Sequence, residues 1–239
     1  MNCILSTFVR QIIAFLFKGM EIIEKSFNEC TLSYLEDNFK IRPVTSCENL
    51  DKWLQENITL DETEKSELGL LQTLLRHNVL HWNEQELSIH CIGPMFSLAR
   101  FISLELKYNL FAERSIEATI PDVNERPVRL FGKPDGLVET GYREPKTPYF
   151  AFQEYKKHKE PNGEPEGQCL AALLAGQHIN QNPNQTMYGC VVSGQNWYFL
   201  TLIGKEYCIS PAYSALTNEI FFIFKALKNL KEIVRELTI

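Results

Sequence analysis

The chain has 239 residues, 44% apolar and 23% charged, with a formal net charge of -6, which excludes wholesale disorder, collagen and coiled coil and fits one soluble domain with elaborations. The acidic balance excludes coating nucleic acid by bulk charge, so any such contact must use a local patch; residues 91–160, with 11 Lys/Arg against 10 Asp/Glu, are the least acidic stretch. Seven cysteines, an odd number with no C-x-x-C pair, fit reduced thiols in a cytoplasmic protein.

In chain order, Ile12 to Phe17 is apolar, but Arg10 and Lys18 bound it far short of the roughly 18 residues of a membrane span, so no membrane contact is expected. Met20 reads as a plausible start, which would make residues 1–19 an extension. Residues 1–82 are predicted as an N-terminal helical extension. Residues 6–28 have apolar side chains at helical spacing, and Ser46 ahead of Glu48, Asp51, Trp53 and Leu54 predicts a capped short helix. A third helix is predicted over 61–80, with Leu68, Leu70, Leu71, Leu74, Leu75, Val79 and Leu80 as its buried stripe.

Residues 83–239 read as the main domain. Asn83 with the early acids Glu84 and Glu86 starts a helical region over 83–106, either straight or kinked at Gly93-Pro94. Strands are predicted over 111–120, 128–139 and 148–157, then a helix over 168–178. A hairpin pairs 188–193 with 197–202 through Gly194-Gln195-Asn196, a strand follows at 207–210, and an amphipathic helix over 214–237 closes the chain. The apolar face of that helix, with Ile220, Phe221, Phe224, Leu227, Leu230 and Val234, reads either as core or as the seam of a homodimer.

Acids and one lysine fall at telling places. Asp135 follows Pro134 in the middle strand, and Glu154-Tyr155-Lys156 lies in the next. Alternation puts Glu154 and Lys156 on one face of that strand and Tyr155 on the other. If Asp135 lies opposite, two carboxylates converge beside an ammonium, and such oxygen ligands suit Mg or Mn. Phosphodiester hydrolysis uses this set: a hard cation activates water and offsets phosphate charge while a lysine assists the nucleophile.

These residues resemble the PD-(D/E)XK nuclease superfamily, with Pro134-Asp135 and Glu154-Tyr155-Lys156 in the positions of its motif. The resemblance covers about residues 83–203. It implies a restriction-endonuclease-like α/β core of order αβββαβ, with extra N-terminal helices and a C-terminal helix, and a Mg- or Mn-dependent nuclease acting on DNA more than RNA. By resemblance Asp135 and Glu154 are metal ligands, the Tyr155 carbonyl is a further ligand and Lys156 is the catalytic lysine. Gln168 lies near the scissile phosphate, and Glu86, with Glu105 second, supplies an acid from the first core helix. The other E-x-K runs, Glu105-Leu106-Lys107 and Glu144-Pro145-Lys146, have the wrong context, one in a helical pattern before the aspartate and one against a proline in a loop.

Plainer readings stand beside these. Pro134-Asp135-Gly136 is also a turn sequence, Glu154 and Lys156 also make an exposed ion pair, Gln168 also caps a helix and Glu86 also serves as a helix-start acid. Lys133, Arg143, Lys146 and the run Lys156, Lys157, His158, Lys159 form either a positive margin around the site or solvated loops. His77 and His81 have ligand spacing without the intervening glutamate of a metalloprotease helix. No histidine is placed by the sequence to activate Cys169 or Ser193. The alternative to a nuclease is a catalytically inactive module of the same fold that binds protein or nucleic acid.

Overall fold

Along β8 (Met187–Ser193) every side chain through Val192 is buried, because the sheet containing it is covered on both faces. Tyr188, Cys190 and Val192 enter one hydrophobic core and Met187 and Val191 the other. The computed structural model describes residues 21–55, 58–101, 108–141, 146–157 and 164–238. Its main sheet has the order β2 (Arg42–Pro43), β10 (Glu206–Ile209), β9 (Asn196–Ile203), β8, β7 (Lys146–Lys156), β6 (Gly136–Thr140) and β3 (Tyr108–Ala112). A short β11 (Tyr213–Ser214) pairs on β9. Within that sheet β7 and β8, and β2 and β10, run parallel while the remaining neighbours are antiparallel. A second sheet has the order β1 (Ile23–Ser26), β5 (Pro127–Gly132), β4 (Ile116–Pro121).

One face of the main sheet carries α1 (Leu32–Phe39) and α6 (Pro165–Asn180), with the small sheet beyond them. Helix α6 is buried from Gly167 through Gln177 because it lies between the two sheets, which is why its sequence is apolar all round. The other face carries α2 (Glu48–Leu54), α3 (Glu62–Asn78), α4 (Glu84–Leu87), a π-helical turn over Ser88–Ile92, α5 (Gly93–Leu98) and α7 (Glu219–Thr238). The protein is thus a mixed α/β fold in which residues before position 83 contribute to both cores. Among the described residues no helix is long and apolar enough to cross a membrane. Cys30, Cys47, Cys91, Cys169, Cys190 and Cys208 carry free thiols.

Several sequence expectations change. Residues 23–26 form a strand rather than helix, because β1 pairs in parallel with β5, a partner more than 100 residues away that local spacing cannot reveal; residues 6–20 of that predicted helix lie outside the described residues. Cys47, not Ser46, caps α2, and it does so without a side-chain bond. Helix α3 packs on one side only, so Leu68, Leu71, Leu75 and Val79 are buried while Leu70, Leu74 and Leu80 are exposed. The predicted helix over 83–106 runs without interruption over 84–98, through a π-helical turn where Gly93 N–H reaches back to Ser88 O, and ends at Leu98; positions 102–106 lie outside the described residues.

The predicted strand 111–120 is two strands, parted at Glu113 in the left-handed region, and they join different sheets. The predicted strand 128–139 is likewise β5 and β6 with the Lys133-Pro134-Asp135 junction between them, where proline offers no ladder N–H. The last helix starts at Glu219, since Tyr213 and Ser214 pair with Trp197 and Asn196. Of its predicted face, Ile220, Phe224, Leu227, Leu230 and Val234 are buried in the core and Phe221 packs partly buried against it, so the face is core rather than the seam of a homodimer.

Trp53 shows how the layers lock. It is fully buried, edge-on to Tyr188 and Phe199 at 5.3 and 5.0 Å, and its indole N–H donates to Ala226 O at 2.9 Å. Trp53→Phe keeps most of the ring packing and loses the hydrogen bond, leaving the α7 carbonyl short of a donor. The expected cost is about 1–2 kcal/mol in urea unfolding, with the slope unchanged.

Candidate active site

The geometry at the carboxyl end of β7 follows from the register of β6 against it, with Gly136 opposite Gln153 and Leu137 opposite Phe152. Asp135, immediately before β6, therefore lies beside the last residues of β7. Its Oδ2 accepts the Tyr155 N–H at 2.6 Å, in the place a ladder carbonyl would occupy. The turn reading of Pro134-Asp135-Gly136 captures the break before β6, and the carboxylate still faces β7. The Asp135 carbonyl accepts from Glu113 N–H at 3.3 Å, which ties the β3–β4 connection to the same corner.

Glu154 and Lys156 project from one face of β7, as alternation requires. Lys156 Nζ is 2.7 Å from Glu154 Oε1, with side chains only 15% and 10% exposed, so the pair is not a solvated surface contact. A third carboxylate joins it: Glu84 Oε1, at the start of α4, is 3.5 Å from Lys156 Nζ. Glu86 does not. Its carboxylate accepts from Asn83 N–H at 2.8 Å while Asn83 Oδ1 accepts from Glu86 N–H at 2.9 Å, a closed capping box that holds Glu86 at the helix end. Glu105 lies outside the described residues.

Tyr155 turns its side chain into the opposite core, and its backbone faces the site. Its carbonyl leaves the strand on the same edge as its N–H, next to Asp135. Gln168 is buried inside α6 rather than at its cap, which is Glu164, and no donor among the described residues meets its Oε1. Lys133 and Lys157 are exposed near the ends of the two site segments. Lys146 begins β7 and so stands about 30 Å from Lys156 along the strand, outside any shared margin. Arg143, His158 and Lys159 lie outside the described residues. His77 and His81 are exposed.

The electrostatics reflect crowding of acids in a half-dry corner. Burial pushes the Glu154 carboxyl up to about 7, the Asp135 charge adds to the rise, and Lys156 opposes it. Asp135 is raised as well, by burial first, against the pull of the Tyr155 N–H and Lys156, while Glu84 and Glu113 push it further up. Burial disfavours charge on Lys156, but Glu154, Glu84 and Asp135 more than offset this and hold its ammonium above the ordinary value. Carboxylates that resist ionising because like charges face them are stabilised by an added cation.

Among the described residues no three His, Cys, Asp or Glu side chains gather closely enough to hold a metal ion alone. Asp135 and Glu154 each keep one oxygen that no donor among the described residues engages. A pair of carboxylate oxygens beside a backbone carbonyl fits Mg or Mn, which retain waters and use one or two carboxylates with substrate phosphate. It does not resemble an all-protein cage for Zn or Ca.

The fold and this corner define a mixed α/β protein with a buried acid and lysine cluster at one end of its central sheet. No protein-family model matches the chain, and no curated protein matches it. A cryo-electron-microscopy structure of a DrdV–DNA complex is similar over 70% of this chain, with 13% identity and a TM-score of 0.35. This chain spans 14% of the length of that one.

Proposed function

We propose that the protein is a divalent-metal-dependent nuclease of the PD-(D/E)XK type that hydrolyses phosphodiester bonds in DNA and acts in the cytoplasm. The observation that carries this reading is the meeting of Asp135, Glu154 and Lys156 from two adjacent segments, with the ammonium 2.7 Å from one carboxylate. Asp135 and Glu154 would hold Mg or Mn with the Tyr155 carbonyl alongside, and when bound the ion supplies Lewis-acid stabilisation of the phosphate and an activated water. Lys156 stays protonated, orients the attacking water and offsets charge developing on the phosphate. Glu84 also pairs with Lys156, so the ammonium is steered by two carboxylates. The buried Gln168 side chain lies on the helix packed against β7, and its Oε1, which no donor among the described residues meets, could accept from a water at the phosphate.

The competing reading is a module of this fold that binds without cutting. It draws on the net charge of -6 and on a lysine already paired with two glutamates. One experiment separates the two. Supercoiled plasmid is incubated with the full chain and Mg or Mn, and calorimetry with Mn is run alongside. The nuclease reading expects conversion to nicked and linear forms that stops on chelation, and binding heat that disappears in Asp135→Asn. Absence of both leaves the binding module.

A further inference from the structure

Behind the carboxylates, on the opposite face of β7, the Tyr155 hydroxyl donates to Gln153 Oε1. Both side chains are buried, at 7% and 1% exposure. Gly136, the register partner of Gln153, passes directly beneath them. A Cβ at Gly136 would overlap Gln153 Oε1 and come 3.2 Å from Tyr155 Oη, so β6 approaches this pair as closely as a residue without a side chain allows. The Gln153 amide nitrogen has no acceptor among the described residues, so packing and the Tyr155 hydroxyl alone hold this side chain.

Asp135 is the neighbour of Gly136 in the chain, and its carboxylate is fixed by the backbone N–H of Tyr155. The carboxylate anchor of Asp135 and its link into β6 therefore run through the residues of this buried contact, while its carbonyl is tied separately to Glu113 N–H. We infer that Gln153 and Tyr155 are positioning residues: their hydrogen bond, closed over Gly136, holds the Tyr155 N–H against Asp135 and so sets the separation of Asp135 from Glu154 across the sheet. The consequence for metal binding rests on the reading proposed above, whereas the effect on the Asp135 anchor does not.

The test uses amide hydrogen exchange by NMR on the full chain without metal, followed by Mn calorimetry, for Tyr155→Phe and Gln153→Leu. Tyr155→Phe keeps the ring and removes only the donor. The expected result is exchange of the residue-155 amide about tenfold faster, the loss of one buried hydrogen bond, with amides of the β8–β9 ladder unchanged. Mn affinity should fall about 10- to 100-fold, as for removal of a group that orients a metal ligand. Gly136→Ala, whose Cβ would push Gln153 Oε1 off the Tyr155 hydroxyl, should weaken Mn binding in the same range. Wild-type exchange at residue 155 in both single variants would overturn the inference. Faster exchange across the whole sheet would overturn it too, since that is general loosening rather than positioning. If the unaltered protein fails to bind Mn while the residue-155 amide loosens as expected, the metal reading falls and the positioning stands.

Discussion

Asp135→Asn and Lys156→Ala are each expected to lower the rate of plasmid cleavage in Mg by at least roughly a thousandfold, about 4 kcal/mol in the barrier, with little change in melting temperature. The two variants fail for different reasons. Asn at 135 keeps an oxygen to accept the Tyr155 N–H, so the corner should fold as before. What disappears is the charge that would bind the cation, and Mn affinity should disappear with it. Glu154, raised partly by the Asp135 charge, should then ionise at lower pH. Ala at 156 removes the ammonium and leaves Glu154 without its 2.7 Å partner. An isolated buried carboxylate is costly, but Glu154 with a carboxyl at about 7 can take up a proton instead, so the loss appears as a further upward shift and not as unfolding. Mn binding should survive in Lys156→Ala because both carboxylates remain. Cleavage at the normal rate by either folded variant removes the nuclease assignment.

The mixed α/β class and the side-chain arrangement along β7 were legible in the sequence, whereas the division of the strands between two sheets was not. Glu154-Tyr155-Lys156 could be placed because strand alternation is strictly local, and the side-by-side ammonium and carboxylate follow from spacing alone. The acid from the first helix could not be placed by residue type. Asn83-x-x-Glu86 is itself a capping-box pattern, so the helix-start reading of Glu86 is the one that the structure shows, and Glu84 is the acid beside Lys156. The strand breaks at Glu113 and at Lys133-Pro134 have local signals, the polar run Glu113-Arg114-Ser115 and the turn sequence Pro134-Asp135-Gly136, but the passage of the chain from one sheet to the other depends on distant partners that no local pattern shows. Pairing of β1 with β5 was hidden for a related reason: its energy comes from a distant partner, and Ile22-Ile23 between two glutamates suits a helix equally well. Helix α6 was legible in kind but not in setting. Its Ala and Leu run says buried helix, and only the two-sheet arrangement says what buries it.

Four residues along the chain from Asp135, in β6, Glu139 makes a second large effect expected, this one on stability. It is fully buried, and neither carboxylate oxygen has a hydrogen-bond partner among the described residues. Directly across the β3–β6 pair lies Asn109, whose Oδ1 is likewise buried without a donor. Two such acceptors side by side are best served by a proton on Glu139, which turns one of them into a donor. Burial accordingly pushes the Glu139 carboxyl from an ordinary 4.5 up to about 9, with only Arg114 pulling it down. In the unfolded chain the group loses its proton near 4.5, so between 4.5 and about 9 the folded state holds more protons than the unfolded one. Stability must then fall as pH rises through that window, at up to about 1.4 kcal/mol per pH unit from this group, and level off above it. Glu139→Gln supplies a neutral amide with a donor of its own. Urea unfolding of the two proteins should coincide near pH 4 and diverge steadily toward pH 9, the variant being more stable by several kcal/mol at the alkaline end. Equal pH dependence in both would mean that Glu139 is ionised in the folded protein and that a cation or donor satisfies it.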